Sequence, residues 1–374
     1  MYRLVATCGF GLESVLSYEI RHLGFERVEV SDGRIFFDAD EYGIAKANIW
    51  LRTAERVLIV LDEYPAADFD ALYDGAYAAD WSSVLTSKDA FPVKGYSLSS
   101  KLTSIPACQS VLKKAIVEKL KAQYHTEFLP ERGTEKKIRF AIVEDMCTLM
   151  LDTSGDGLHK RGYRPLLNEA PIRETLAAGM CDLARVYDDS RVHDPFCGSG
   201  TLVIEAAMRA LNMAPGLNRR FAAEEYDIVG REIFDEVRQE ARSMIKQDIA
   251  FCGTGSDIDE NAVRIANDNA ERAGVAKYCS FSVADARKLT PEEGSLIITN
   301  PPYGERLSSP EEAEKLCRDF GRRVIGGKQR GAYIISSLSD FEKHFGAPAS
   351  RRRKLYNGMI PCQLFMYFGA RKQQ

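Results

Sequence analysis

From about Gly155 to Gln374 the sequence alternates short apolar strands with amphipathic helices, and that alternation leaves few folds open. The series runs RVHDPF, the helix GTLVIEAAMRAL, a long excursion to about 249, the strand IAFCGTGSD and the helix ENAVRIANDNAERAG. SFSVADA, SLIITN and GAYIISS follow. Repeated βα units predict a mostly parallel, doubly wound α/β sheet with right-handed crossovers. Such sheets hold ligands at the carboxyl ends of their strands, so the chemistry is expected there. The tail KLYNGMIPCQLFMYFG reads as a closing strand pair.

The N-terminal half has a different rhythm. YRLVATC, the helix LESVLSYEIRHLG, RVEVS, RIFFD, the helix YGIAKANIWLRTA and RVLIVLDEYPA make a βαββαβ unit over 1–65, without a glycine-rich nucleotide fingerprint. A second α+β unit is expected over 66–154. In it CQSVLKKAIVEKLKAQY carries Cys108, Val111, Leu112, Ala115, Ile116 and Leu120 as one apolar helical stripe. The alternating helices and strands over 155–374 form a third.

The chain as a whole is nearly neutral, with 50 Lys/Arg against 54 Asp/Glu and a net charge of -4, so global electrostatics point to no polyanion. Between 94 and 173, however, 14 Lys/Arg stand against 9 Asp/Glu. Lys113 and Lys114 fall off the apolar stripe and could face phosphates, although a solvated helix face is the plainer reading of such lysines. The nine cysteines form no CxxC pair and no zinc spacing, which predicts reduced thiols and no metal. No apolar run is long enough to span a bilayer and no cleavable leader opens the chain, so a cytoplasmic protein is expected.

Four strand ends carry polar groups. The first, HDPFCGSGT (193–201), sets a carboxylate before a Gly-Ser-Gly turn, whose free N–H groups suit a ligand with a carboxylate or hydroxyls. It lacks both the dinucleotide GxGxxG and the GK[ST] of a phosphate loop, which disfavours NAD and ATP. At the second, Asp257 can accept ribose hydroxyls while Asp259 caps the next helix. At the third, Asp285 can accept an exocyclic amine of adenine, with Ala286 supplying a backbone N–H. Together these suit a nucleoside with a charged tail.

The fourth strand ends in TNPPYG (299–304). Each proline holds the residue before it extended and fixes its own φ, so Asn300, Pro301 and Pro302 form a stiff corner. The Asn300 side-chain carbonyl and a proline carbonyl can accept both hydrogens of one exocyclic amine, freeing its lone pair toward an electrophilic methyl group. Tyr303 offers a face for a base to stack on. A plain proline turn is the alternative for this stretch taken alone.

These residues together resemble the class I S-adenosylmethionine-dependent methyltransferases that modify exocyclic amines. SKLTSIPACQSVLKKAIVEKL, LDTSGDGLHKRGYR and APIRETLAAGM extend the resemblance to the THUMP-containing RNA guanine-N2 methyltransferases, including bacterial large-subunit rRNA enzymes. It covers nearly the whole chain. The resemblance implies a ferredoxin-like subdomain (1–65), a THUMP RNA-binding domain (66–154) and a Rossmann-like catalytic domain (155–374). It implies S-adenosyl-L-methionine as cofactor, with Asp194, Phe196, Gly198, Gly200 and Thr201 at its methionine end. Asp257 would meet its ribose, and Asp285 and Ala286 its adenine. Glu174 and Thr175 would lie on a covering helix. Asn300 to Tyr303 would form the amine site, and Lys113, Lys114, Lys160, Arg161 and Arg164 would meet RNA, with rRNA favoured over tRNA. The excursion beginning NMAPGLNRRF matches the rRNA-like branch. A DNA adenine-N6 methyltransferase and a non-catalytic RNA-binding assembly factor are the competing functions.

Overall fold

Strand β4 (Ala54–Pro65) is twelve residues long, and its length explains the N-terminal architecture. The computed structural model describes residues 1–164, 172–302 and 310–369. Along its first half β4 pairs antiparallel with β1 (Tyr2–Cys8), and along its second half with β7 (Met146–Asp152). The expected separate α+β units therefore share one continuous sheet. Its other strands are β2 (Glu26–Ser31), β3 (Arg34–Ala39), β5 (Val93–Leu98) and β6 (Ile138–Val143), and the order is β2-β3-β1-β4-β7-β6-β5. A register shift between Val60 and Asp62 marks the handover from one unit to the next.

The helices of this half are α1 (Glu13–His22), α2 (Glu41–Trp50), α3 (Phe69–Ala78) and α4 (Ile105–Tyr124). Helix α4 buries Cys108, Leu112, Ala115, Ile116 and Leu120 as its stripe predicts, with Val111 partly buried beside them.

The C-terminal sheet has the order β10-β9-β8-β11-β12-β14-β13. Its parallel strands are β8 (Arg191–Asp194), β9 (Cys252–Asp257), β10 (Cys279–Val283), β11 (Leu296–Thr299) and β12 (Gly331–Ser336). The hairpin of β13 (Arg351–Asn357) and β14 (Ile360–Phe368) closes the sheet antiparallel on β12. All ten residues of β11 and β12 are buried, as expected for central strands covered on both faces. The helices of this half are α5 (Glu174–Leu183), α6 (Thr201–Ala210), α7 (Arg231–Ser243), α8 (Glu260–Ala273), α9 (Pro310–Val324) and α10 (Phe341–Phe345).

Helix α7 packs on α2 of the N-terminal half. Residues 214–241 leave the C-terminal sheet after α6 and return to the N-terminal core. There Phe221, Tyr226, Phe234 and Val237 join Ile49, Trp50 and Leu51. Backbone bonds fix the return, from Gly216 to Ile49 (2.9 Å) and from Ala223 to Thr153 (3.0 Å). Each large apolar side chain buried there contributes roughly 1.5–3 kcal/mol. The excursion thus fastens the two halves together.

Among the described residues no helix is long and apolar enough to cross a membrane, and no group of His, Cys, Asp and Glu could hold a metal ion.

Candidate active site

The tips of β8, β9, β10 and β11 lie side by side, and short backbone devices aim each one. At β8, Asp194 is buried, and its Oδ1 accepts the Phe196 N–H (3.1 Å) and the Thr299 hydroxyl (2.6 Å). That pair of bonds ties the first tip to the fourth. Burial pushes the Asp194 carboxyl up to about 7, against the lowering effect of both bonds. The following loop turns through left-handed Gly198 (φ 50) and Gly200 (φ 81). A Cβ at Gly200 would sit 3.0 Å from both Ala266 and the Phe281 ring, so only glycine lets the loop lie this close to β10 and α8.

The loop is held from the next tip. The Gly198 N–H donates to Asp257 Oδ2 (2.9 Å), and Asp257 Oδ1 accepts the Asp259 N–H (3.1 Å). Asp259 caps α8 through the Asn261 N–H, as expected, and Asn269 donates to the Ser199 carbonyl (3.0 Å). At β10, the Arg287 guanidinium grips Asp285 through both carboxylate oxygens at 2.7–3.0 Å. The Arg287 side chain, with its backbone N–H, holds the Asp285 carboxyl down at about 2. Ala286 is buried beside it.

The fourth tip is of another kind. Asn300 is 8% exposed, and its Oδ1 is a buried acceptor without a hydrogen-bond partner among the described residues. Such an atom costs roughly 1–3 kcal/mol unless something satisfies it. Pro301 and Pro302 are half-buried and wall a narrow apolar cleft with Phe196, Phe320, Leu338 and Phe341. The Phe196 ring meets Phe320 edge to face at 5.1 Å, so Phe196 serves this cleft as well as the glycine loop. Tyr303 lies outside the described residues.

Several residues expected at the cofactor or the RNA are engaged elsewhere. The Thr175 hydroxyl donates to Glu55 at the start of β4 (2.5 Å). Glu174 is buried and paired with Arg164 at 3.2 Å, with Oε2 unpartnered among the described residues. Burial raises its carboxyl, with Arg164 opposing. Arg164 is not free for phosphates. It donates to Thr201 Oγ1 (2.9 Å) at the start of α6 and to the Ile172 carbonyl (3.2 Å).

Arg161 is not available to RNA either. It is 3% exposed and bonds the Arg52 and Leu158 carbonyls and Glu205 across the seam between the two halves. Lys113 is bent back onto the Phe91 ring, 3.4 Å from its centre, and pairs with Glu131 (2.8 Å). Lys114 and Lys160 remain exposed, Lys114 within 3.8 Å of Glu118 one helical turn on and Lys160 paired with Asp156 at 3.1 Å.

Thr299, Asn269 and Arg287 hold the site but escape sequence reasoning. Thr299 alone had a signal, a hydroxyl at the end of an otherwise aliphatic strand.

A seven-stranded sheet of this order, with these four tips, defines a class I methyltransferase fold. The chain belongs to the RMKL-like methyltransferase family: that domain's model matches residues 161–365. Models of the RlmL ferredoxin-like domain and the THUMP domain match 3–58 and 66–152. YpsC of Bacillus subtilis (strain 168), provisionally named an RNA methyltransferase, is 38% identical over 100% of this chain and 97% of its own length. The ribosomal RNA large subunit methyltransferase K/L of Psychromonas ingrahamii is 33% identical over 96% of this chain, which spans only 49% of that enzyme. A Clostridium difficile 630 structure, provisionally described as a methylase, superposes with TM-score 0.95 at 43% identity, covering 100% of this chain and 99% of that one. SMU.472, solved with S-adenosylhomocysteine, superposes with TM-score 0.91 at 39% identity, covering 100% and 99%.

Proposed function

We propose that this chain methylates the exocyclic 2-amino group of a guanine in RNA, with 23S rRNA as the target and the bacterial cytoplasm as its place of work. The cofactor is S-adenosyl-L-methionine, in keeping with the family and with the S-adenosylhomocysteine bound by SMU.472. When bound, it supplies an electrophilic methyl group on a positively charged sulfur. The glycine loop, Asp257 and Asp285 with Ala286 fit its three parts, because these polar groups stand together at the carboxyl ends of adjacent strands β8, β9 and β10.

The observation that carries the reading is the buried, unpartnered Oδ1 of Asn300. An acceptor held dry at a strand tip, on a corner that two prolines stiffen, is preorganised for a donor brought by a ligand. Asn300 Oδ1 and the Pro302 carbonyl take the two amine hydrogens, which draws the nitrogen lone pair out of conjugation with the ring. The corner thereby aligns the nitrogen for in-line attack, and alignment supplies much of the rate. The THUMP match and the names of YpsC and the K/L enzymes support RNA as the polymer. The target base must leave its stack to reach the corner.

The test uses labelled S-adenosylmethionine with rRNA, tRNA and DNA from a strain lacking the gene. Label in 23S rRNA recovered as N2-methylguanosine is the expected result. Label in tRNA guanine or DNA adenine would reassign the substrate, and label in no nucleic acid would overturn the reading.

A further inference from the structure

A cluster of cations on the C-terminal half lies at the end of the sheet opposite the candidate active site. Arg185, Lys328, Arg330, Arg351, Arg352 and Arg353 line one open trough. It sits where β12 begins and β14 ends, at Gly331 and Phe368, opposite the tips that carry Asp194 and Asn300. The six residues of β12 put about 20 Å between the two ends.

The lining carboxylates do not neutralise these cations. Asp182 is held by Arg209 at 2.6 Å, outside the lining, and Glu293 reaches Lys328 only at 4.0 Å. Three of the cations have structural work. Arg353 bonds Gly11 O and Ser14 Oγ (both 2.6 Å), Arg330 bonds Arg185 O (3.0 Å), and Arg352 pairs with Glu342. Arg185 and Arg351 are exposed, and their side chains make no hydrogen bond or ion pair among the described residues.

In a chain of net charge -4, six like charges of which only Lys328 and Arg352 have a carboxylate within 4.0 Å among the described residues oppose folding, so their juxtaposition calls for an anionic partner. The trough, about 1540 Å³, exceeds the roughly 300–1,000 Å³ of small-molecule sites. An exposed ring, Phe368 at 53%, stands among the guanidinium groups with Tyr333 6.4 Å away. Cations that follow a backbone beside a ring on which a base can stack are a nucleic-acid combination.

We propose that this trough binds the phosphate backbone of a second segment of the substrate RNA, on the far side of the catalytic sheet from the methylated base. The inference rests on the RNA reading above. It requires the RNA to reach around the sheet, which a folded rRNA domain can do and a short stem cannot.

The variant Arg185→Glu/Arg351→Glu changes exposed side chains with no hydrogen bond or ion pair among the described residues, and it is assayed with protein-free 23S rRNA. Expected are a KM for RNA raised at least tenfold and a plot of log affinity against log salt flattened by about two. Turnover at saturating RNA and S-adenosylhomocysteine affinity should stay within twofold. A short stem-loop carrying the target guanine should be methylated equally by variant and parent.

A parental KM and salt slope on 23S rRNA would overturn the proposal. Parental behaviour on naked RNA with slower labelling of assembling particles would also overturn it, in favour of a protein partner. If the parent labels no RNA, the functional reading itself has failed, and the variant is not needed to show it.

Discussion

The two halves of the candidate site are built on opposite plans. On the side proposed for the methyl donor, every strand-tip carboxylate already has partners: Asp194 with Phe196 and Thr299, Asp257 with Gly198 and Asp259, Asp285 with Arg287. On the side proposed for the acceptor amine, Asn300 Oδ1 has none among the described residues. The difference teaches which half owes its shape to the fold and which leaves a bond for the substrate. A network satisfied from within keeps its geometry without ligand, whereas an orphan acceptor gains most when the reacting group arrives.

The sharpest way to break this contrast is Asn300→Ala. Turnover should fall at least tenfold, a barrier rise of about 1.4 kcal/mol or more, with S-adenosylhomocysteine affinity within twofold. Equal loss of both, read by steady-state kinetics and calorimetry, would mean that Asn300 holds the fold. Gly200→Ala is the counterpart on the donor side. A Cβ 3.0 Å from Ala266 and Phe281, at φ 81, should weaken S-adenosylhomocysteine binding by about tenfold and leave turnover at saturating cofactor less affected.

A third expectation concerns pH. Burial holds the Asp194 carboxyl at about 7 in the fold, well above the usual carboxylate range, so the native state holds its proton more tightly than the unfolded chain. Its stabilising contribution is complete below the unfolded value and is lost as pH rises through the folded one. Asp194→Asn keeps an acceptor for Phe196 and Thr299 without a titrating proton. Thermal melts between pH 4 and 7 should therefore fall less steeply for the variant, by roughly 1–2 °C per pH unit. Parallel slopes would place the proton elsewhere. The smallest effect is expected of Arg287→Ala, which frees Asp285 for an amine. S-adenosylhomocysteine affinity should rise by less than about threefold, and a tenfold loss would instead make Arg287 the group that orients the carboxylate.

Much of this architecture was legible locally. The βα alternation, the glycine turn at 198–200, the Asp259 cap and the proline corner each depend on residues within one turn of one another. Their consequences could be read without knowing the neighbours. What escaped depended on partners far away in the chain. LHKRGYR reads as a basic linker, yet Arg161 and Arg164 are spent on Arg52, Glu205, Glu174 and Thr201, which no spacing rule connects to it. Lys113 reads as a surface cation until Phe91 and Glu131 fold over it. Thr175 sits beside Glu174 in sequence but answers to Glu55. The amphipathic face of α7 announces that it packs, but nothing in it says that the surface awaiting it lies on α2.

That return of residues 214–241 to the first body has a practical consequence for anyone who dissects the protein. Cutting at the visible junction near 155 would split a shared interior. The front fragment would carry Ile49 and Trp50 uncapped, and the rear fragment would carry Phe221 and Phe234 with nothing to cover them. Chimeras between relatives should therefore graft the 214–241 excursion together with the front sheet, treating it as that sheet's property despite its address in the chain.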